Sequence, residues 1–389
     1  MPPSTRNRAP MTSWPSACVE DTHVSSTRSL AGDITGPSTA ADLGLVAPCV
    51  GVSSRDVELL GAASGGVWTR QQALEVVSAA QVATELRRGH WQQPWPGVYT
   101  DGGTEQDAGQ RAFAAVLASG GAGQPRPIPG TPGRGRLRAV ACGRTAARVH
   151  GLVLVDDCDP STGAHEQDLD EVLVWSPRRP LSHAQPDGTT RVLRRRQLRP
   201  GPGDLVLLPS GLWVTSLLRT VVDCAGLLGH QALVCLLDDA LHRRLLTPDA
   251  LAAAVAARAW CAGAVALRAA VVAADGRAES PAETLLRLLL LPVLPGLVPQ
   301  LRVRDGSGRV VARLDLGDAA LRLGAEADGR RGHAGGRMVA KDQRRDRTTD
   351  GLGWRTERFT WFELRCRQHE VMARADTAAR AQAARHRRP

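Results

Sequence analysis

The sequence predicts a multi-domain α/β protein, and three stretches of the chain carry this prediction. Residues 53–100 combine short helical segments with a hairpin, and residues 101–275 mix helical and strand-like segments. Residues 276–370 place an apolar helix before three strands, a basic helix and a last strand. Such mixed patterning is typical of folds in which helices cover sheets. The 389 residues leave room for two or three domains.

Two helix-capping motifs follow each other closely in the first stretch. Thr69 and Gln72 have the spacing of a capping box, and Ser78 and Gln81 repeat it. The second box predicts a helix from Ala79 to Arg88, ended by a glycine. We expect this helix to bury its apolar positions, Val82 and Leu86.

A further helix and a hairpin complete this unit. Ser54 begins the first helix, and Trp91 to Tyr99 has the pattern of a short hairpin. Three short helices and a hairpin predict a winged helix-turn-helix, whose second motif helix enters the DNA major groove. The predicted DNA-binding residues on that helix are Gln81, Thr84, Arg87 and Arg88. The alternative is that the unit docks a protein, in which case the two arginines are ordinary surface residues.

Carboxylates interrupt two apolar strands in the third stretch. Asp315 lies on one strand, and Glu326 and Asp328 lie two residues apart on the next, so that the latter two share a face. An acid on a core strand is costly unless it is paired or binds a cation. Three carboxylates at one sheet edge suit Mg²⁺ or Mn²⁺. We therefore predict that Asp315, Glu326 and Asp328 form a metal site.

Residues from about 277 to 365 resemble the small very-short-patch-repair-like endonuclease domains, which have a restriction-endonuclease-like core. Five elements carry the resemblance, in the order Glu279-Ser-Pro-x-Glu283, Asp315, Glu326-x-Asp328-Gly329, Arg344-Arg345-Asp346, and Gly353-Trp354-Arg355 leading to Arg358-Phe359-Thr360. The resemblance implies a metal-dependent nuclease fold with Asp315 and Glu326 as metal ligands, assisted by Asp328 and Glu283.

One departure from this family leaves two functions open. Members of the broader nuclease superfamily usually carry a lysine two residues after the glutamate, and here that position is Asp328. The single lysine of the chain, Lys341, lies on the following basic helix and is one candidate substitute, and Arg344 or Arg345 is the alternative source of the positive charge. His333 is a candidate base or a bystander. The first function is a Mg²⁺-dependent DNA endonuclease. The second is a regulator that keeps the nuclease fold only as a scaffold.

The first two stretches resemble AbiEi-type antitoxins of bacterial abortive-infection systems. In the N-terminal unit the matching residues are Gly66 to Ala73 and Gly97-Val98-Tyr99. In the central region they are Thr145 to Leu152, Glu171 to Trp175, Leu212 to Ser216 and Arg219 to Asp223. The resemblance implies a transcriptional regulator or antitoxin, with DNA and a cognate toxin as partners.

Composition agrees with a DNA-binding protein without proving it. The formal net charge is +10 and the sequence pI about 10.1, which favours an anionic polymer as partner. No Cys-x-x-Cys pair, signal peptide or long apolar segment is present in the sequence, so we expect a cytoplasmic protein with reduced thiols and no membrane partner. Residues 1–52 are expected to be disordered, and residues 371–389 to form a basic tail, in which Arg374 to Pro389 is a solvated or fraying basic helix.

Other polar residues have structural interpretations. His150, followed by Gly-Leu, is expected at a helix C-terminus. Asp223 is expected to pair with Arg219 one helical turn earlier. Asp238 and Asp239 are expected to be solvated helix positions.

Overall fold

The computed structural model describes residues 66–103, 105–120, 139–155, 169–174, 179–197, 199–257, 263–328 and 346–387. Over these residues the chain is a mixed α/β protein, as the sequence predicts, and its strands form three sheets. All of them belong to one compact unit that begins at Gly51. The extension predicted to be disordered, residues 1–52, and the helix expected from Ser54 lie outside the described residues.

The first sheet and two helices form the N-terminal part of the described chain. The elements are β1 (Val67–Thr69), α1 (Arg70–Val76), α2 (Ala79–Arg88), β2 (Trp91–Trp95) and β3 (Val98–Asp101). The strands are antiparallel in the order β1-β3-β2. Both predicted capping boxes form, one at the start of each helix. Gly89 ends α2 with a φ of +74°, a left-handed conformation that favours glycine.

The two faces of this sheet are buried against different parts of the protein. Trp68, Trp91 and Tyr99 pack with the apolar residues of α1 and α2. Trp95 and its neighbours on the other face pack against helix α3 (Ala108–Gly120) and the second sheet. The aromatic residues of the predicted hairpin are therefore core groups.

The second sheet occupies the centre of the protein. Its strands are β4 (Ala139–Ala141), β5 (Leu169–Val174), β6 (Leu181–Ala184), β7 (Thr190–Gln197), β8 (Leu205–Leu207) and β9 (Trp213–Thr215). Their spatial order is β6-β7-β5-β4-β9-β8. β4 is parallel to β9 and β5 is parallel to β7, whereas the other pairs are antiparallel. Helix α4 (Gly143–Val149) follows β4, with His150 as its C-cap, as predicted.

Charged side chains are buried between this sheet and its helices. Arg144 on α4 and Glu171 on β5 form a fully buried pair at 2.6 Å. The neighbouring Asp170 carboxylate accepts from Arg111 at 2.9 Å and from Arg148 at 3.3 Å. A buried charge is tolerated when it is paired and hydrogen-bonded. These pairs therefore fix α3 and α4 to one strand.

A layer of helices joins the second sheet to the third. The helices are α5 (Leu217–Cys224), α6 (His230–His242), α7 (Pro248–Ala257), α8 (Ala264–Ala273) and α9 (Pro281–Leu290). α9 begins at the predicted place, with Ser280 as N-cap and Pro281 in the first turn. One continuous apolar core runs from these helices into the third sheet.

The third sheet has the predicted order of elements. Its strands are β10 (Val298–Arg304), β11 (Val310–Asp318), β12 (Leu323–Asp328) and β13 (Arg355–Thr360), neighbours in that order. The first three are antiparallel, and β13 is parallel to β12. Residues 346–351 are helical, and α10 (Trp361–Cys366) and α11 (Gln368–His386) follow β13. The remainder of the predicted basic helix lies outside the described residues.

The expectation of a solvated basic tail over residues 371–389 needs correction. Residues up to His386 belong to α11, whose alanine stripe is buried against the core. Because alanine occupies every third or fourth position, one face packs closely while the arginines lie on the others. The buried positions include Ala375, Ala378 and Ala379.

The expectation that Asp238 and Asp239 are solvated is wrong. Asp238 is 1% exposed, because α6 is enclosed by other helices, and Asp239 is half-buried. The Asp238 carboxylate accepts from Thr284 Oγ1 at 2.8 Å and from the Arg287 guanidinium at 2.8 Å. In contrast, the predicted pair of Arg219 with Asp223 is confirmed at 2.8 Å.

Cysteines behave as small apolar side chains in the described part of the chain. Cys142, Cys224 and Cys235 are buried and form no disulfide, whereas Cys366 is exposed. Burial raises the pKa of the Cys235 thiol to about 12. Among the described helices, none combines the length and the apolar character that a membrane crossing requires.

The Asp238–Arg287 pair gives a stability prediction. Arg287→Met removes the counter-charge of a buried carboxylate and should lower the free energy of unfolding at pH 7 by about 3–5 kcal/mol. Burial raises the pKa of Asp238, so its ionisation costs stability as pH rises through that pKa. The loss should therefore be smaller at pH 4.5 than at pH 7. Urea denaturation at both pH values measures it.

A matched control is Arg380→Met on α11. Arg380 pairs with Asp376 at the surface, where its side chain is 79% exposed. An exposed helical pair contributes about 0.3–0.5 kcal/mol, so this variant should unfold almost like the wild type. Equal losses in the two variants would contradict the role given to Asp238.

Candidate functional site

Helix α2 presents a face of small residues and one arginine. Ala80, Ala83, Thr84 and Arg87 are three and four positions apart and therefore lie along one side of the helix. Both alanines and Arg87 are exposed, and Thr84 is half-buried. The opposite side buries Val82 in the aromatic core. Since alanine side chains are short, a partner surface can approach the helix backbone closely along this face.

Hydrogen bonds hold the polar groups of this face. The Arg87 guanidinium donates to Thr84 Oγ1 at 3.1 Å and to the Ala83 carbonyl at 3.3 Å. Thr84 in turn donates to the Ala80 carbonyl at 2.9 Å. Arg88 is exposed beside Arg87 in the last turn. The end of α2 therefore offers two adjacent positive charges at the surface.

The four predicted DNA-binding residues thus have different positions. Thr84, Arg87 and Arg88 lie together near the C-terminal end of α2. Gln81 lies at the N-terminal end, where its Oε1 accepts from the Ser78 backbone at 2.8 Å. Its amide group therefore serves the start of the helix.

The hairpin next to α2 is held by the second sheet. The His183 ring Nε2 lies 3.1 Å from the Gln93 carbonyl, and Gln185 donates to the Pro94 carbonyl at 3.4 Å. His183 lies on β6, and Gln185 lies in the turn that joins β6 to β7. Strand β2 is therefore fixed against β6.

Two of the three predicted carboxylates, Asp315 and Glu326, fall on one row that crosses the third sheet. Leu316 pairs with Ala325, so the next position in register places Asp315 opposite Glu326. Glu326 is in register with Arg358 on β13. Two acids and one arginine therefore lie side by side on neighbouring strands, as the sequence predicts for the acids.

A guanidinium neutralises part of this row. Arg358 donates to Glu326 at 3.2 Å and to Asp346 at 2.6 Å. The hydrogen bond to Asp346 and the charge of Glu326 raise the pKa of Arg358. The Asp315 carboxylate accepts a hydrogen bond from the Ala327 backbone N–H at 2.9 Å, and this side-chain contact adds to the backbone pairing between β11 and β12. Asp315 and Glu326, two of the three predicted metal ligands, thus have protein partners.

A second cluster joins the row to the start of α9. Arg313 forms a bidentate pair with Glu279, at 2.6 and 2.8 Å. The Glu279 hydrogen bond raises the pKa of Arg313, and the charges of Glu283 and Asp315 add to this. The acids at the head of α9 are therefore close to those on the strands.

Gln300 is a strained residue beside the same acids. Its φ of +56° lies in the left-handed region, which is uncommon for residues other than glycine. The register of the neighbouring pairs places it opposite Asp315, and its Nε2 donates to Glu283 at 2.8 Å. Such strain is frequent at functional sites. No sequence pattern predicts this conformation, because a glutamine on a strand looks ordinary.

The described residues do not by themselves fit a magnesium ion. No group of three His, Cys, Asp or Glu side chains suited to a metal ion occurs among them. Asp328, at the end of β12, is exposed. Lys341 and His333 lie outside the described residues. The described part of the row is instead neutralised by arginine, since Arg358 donates to Glu326.

Two relatives of the chain are uncharacterized proteins of Mycobacterium tuberculosis. They are MT2308 of strain CDC 1551 / Oshkosh and Rv2248 of strain H37Rv. Each is 28% identical to the chain over 276 residues, which is 70% of this chain and 87% of the relative. No family model matches the sequence. No solved structure matches it either.

The pairing of Arg358 with Glu326 can be measured by a double-mutant cycle. Arg358→Gln should lower the free energy of unfolding, because it weakens the neutralisation of a nearly buried acid. The loss should shrink when Glu326→Gln is also present, with a coupling energy of about 0.5–3 kcal/mol. Chemical denaturation of the four proteins gives this energy.

The control cycle uses Arg380→Gln and Asp376→Asn, which remove an exposed pair on α11. Its coupling should be about 0.3–0.5 kcal/mol. A coupling for Arg358 and Glu326 no larger than this would show that the arginine does not neutralise the row.

Proposed function

We propose that the chain is a DNA-binding protein of the transcriptional-regulator or antitoxin type. In this proposal α1, α2 and the first sheet form a winged helix-turn-helix, whose recognition helix is α2. The central region corresponds to that of AbiEi-type antitoxins, and the third sheet is a restriction-endonuclease-like core that serves as a scaffold. Duplex DNA and a cognate toxin are the proposed partners, which places the protein in the cytoplasm.

The observation that carries the proposal is the exposed face of α2. It combines small residues, which permit close approach, with Arg87, and Arg88 is exposed beside it in the last turn. Recognition helices enter the major groove, and arginines contact phosphates and base edges there. The capping boxes and the aromatic core fix the angle of this helix on the sheet. A face of this kind supports DNA over a protein partner because it has few apolar side chains.

A second function, a Mg²⁺-dependent DNA endonuclease, is favoured by the row on the third sheet. Asp315 and Glu326 lie next to each other, and Glu283 and the strained Gln300 lie close by. When bound, a metal ion would activate water and neutralise a phosphate. In this proposal Asp315, Glu326 and Asp328 would have to come closer together to hold the ion, because they form no metal-suited group as they stand. Lys341 would contribute a positive charge.

The DNA-binding proposal predicts the behaviour of Arg87→Ala/Arg88→Ala. The double variant should bind duplex DNA at least tenfold more weakly at low salt, because each phosphate contact releases counterions. The slope of log affinity against log salt should fall by about 0.9 per lost contact. Fluorescence anisotropy of a labelled random-sequence duplex, measured over a salt series, gives both quantities.

The control is Arg268→Ala/Arg380→Ala, which removes the same charge from two exposed helical arginines elsewhere. It should leave the slope nearly unchanged. If wild type and the Arg87/Arg88 variant bind with one affinity and one slope, α2 is not the recognition helix.

The endonuclease function has its own test. Supercoiled plasmid is incubated with wild type, Asp315→Asn, Glu326→Gln and Lys341→Ala, each with Mg²⁺ or Mn²⁺. An endonuclease should nick with wild type and lose this activity in both acid variants, whereas Asp376→Asn, an exposed acid on α11, should retain it. Absence of nicking by wild type would leave the scaffold as the role of the sheet.

A further inference from the structure

A groove of about 720 Å³ separates the end of α2 from the β6–β7 hairpin. Arg87, Arg88 and Gly89 form one wall. The rest of the lining comes from α2, from β2 and from the hairpin of the second sheet, and the residues are Leu86, Trp91, Gln92, Gln93, His183, Ala184, Gln185 and Pro186. The groove thus continues the exposed arginines of α2 into the central region.

The chemistry of the groove suits a polyanion. Its lining contains two arginines, three glutamines and a histidine, and none of the lining residues is an aspartate or glutamate. The nearest acid along the hairpin, Asp187, is not in the lining. Its carboxylate accepts from the backbone and hydroxyl of Thr189, at 2.9 and 2.7 Å, within the turn. No carboxylate of the lining therefore opposes a phosphate there.

The two walls of the groove are held at a fixed separation. His183 and Gln185 are hydrogen-bonded to the β2 backbone, and the His183 ring lies 6.4 Å from that of Trp95. Trp95 is fully buried in the core shared by the first and second sheets. The hairpin therefore cannot move independently of α2, and the groove exists before any partner binds.

We propose that this groove holds the phosphate backbone of duplex DNA whose major groove receives α2. The β6–β7 hairpin of the central region is then a second DNA-contacting element, and the bound duplex extends beyond the winged helix. This inference rests on the proposed function, because α2 positions the duplex. A partly open groove with fixed walls and a positive side matches a backbone that runs along the edge of a recognition helix.

A charge series at Ala184 tests the proposal with little effect on folding. Ala184 is exposed on the edge strand β6 and lines the groove. Ala184→Glu should weaken duplex binding about three- to tenfold at low salt, and Ala184→Arg should strengthen it by a similar factor. Ala184→Gln has the size of glutamate without its charge and should bind like wild type. The spread should shrink as salt is raised.

The controls separate this inference from the proposed function. Ala253→Glu makes the same charge change at an exposed alanine of α7 and should not alter affinity. If Ala184→Glu and Ala184→Gln bind alike while Arg87→Ala/Arg88→Ala binds weakly, the hairpin does not contact DNA, although α2 does. If the arginine variant is also unchanged, the proposed function itself fails. A charge order seen with single-stranded RNA and not with duplex DNA would overturn the assignment of the partner.

Discussion

The buried Asp238 carboxylate is the interaction on which the union of the central and C-terminal parts depends. It lies on α6, yet its partners are the Asp275 backbone, Thr284 and Arg287, all of which come later in the chain. Around it one apolar core continues from α4 to α11. A similar union occurs at the other end, where α3 shares a core with the first and second sheets. The parts of the protein that share these cores therefore form one continuous structure. If α2 binds DNA as proposed, the acidic row has a fixed position relative to it.

Local patterns were enough to predict most of the helices and strands that position the two sites. Capping boxes at Thr69 and Ser78 and the glycine that ends α2 are read from a few neighbouring residues, and each forms as expected. Burial of single polar residues was not readable in this way. Asp238 resembles any helical acid until a helix from another part of the chain covers it. The alanine stripe of α11 likewise gained its meaning only from the core that it meets.

Arginine takes a role in the acidic row that the sequence did not reveal. Asp315 and Glu326 can be paired by strand logic, because both interrupt apolar strands. Arg358 and Arg313 give no comparable signal, because they are distant from the acids in the sequence or look like outward-facing strand residues. Their partners are determined by the strand register and by the packing of α9. A guanidinium is planar and always charged, and it forms two hydrogen bonds with a carboxylate. It can therefore stabilise acids on a sheet without a bound cation.

The pairing of β4 with β9 has a consequence for synthesis on the ribosome. Ala141 pairs with Val214, which is synthesised about 70 residues later, so the middle of the second sheet closes late. Such non-local pairings form slowly. The first sheet is complete much earlier, since Val67 pairs with Thr100. Its face that contains Val67, Trp95 and Val98 stays exposed to solvent until α3 and the second sheet have been synthesised and pack against it. The nascent chain thus carries an apolar surface through much of its translation, and a fragment that stops near residue 103 would keep that surface and tend to self-associate.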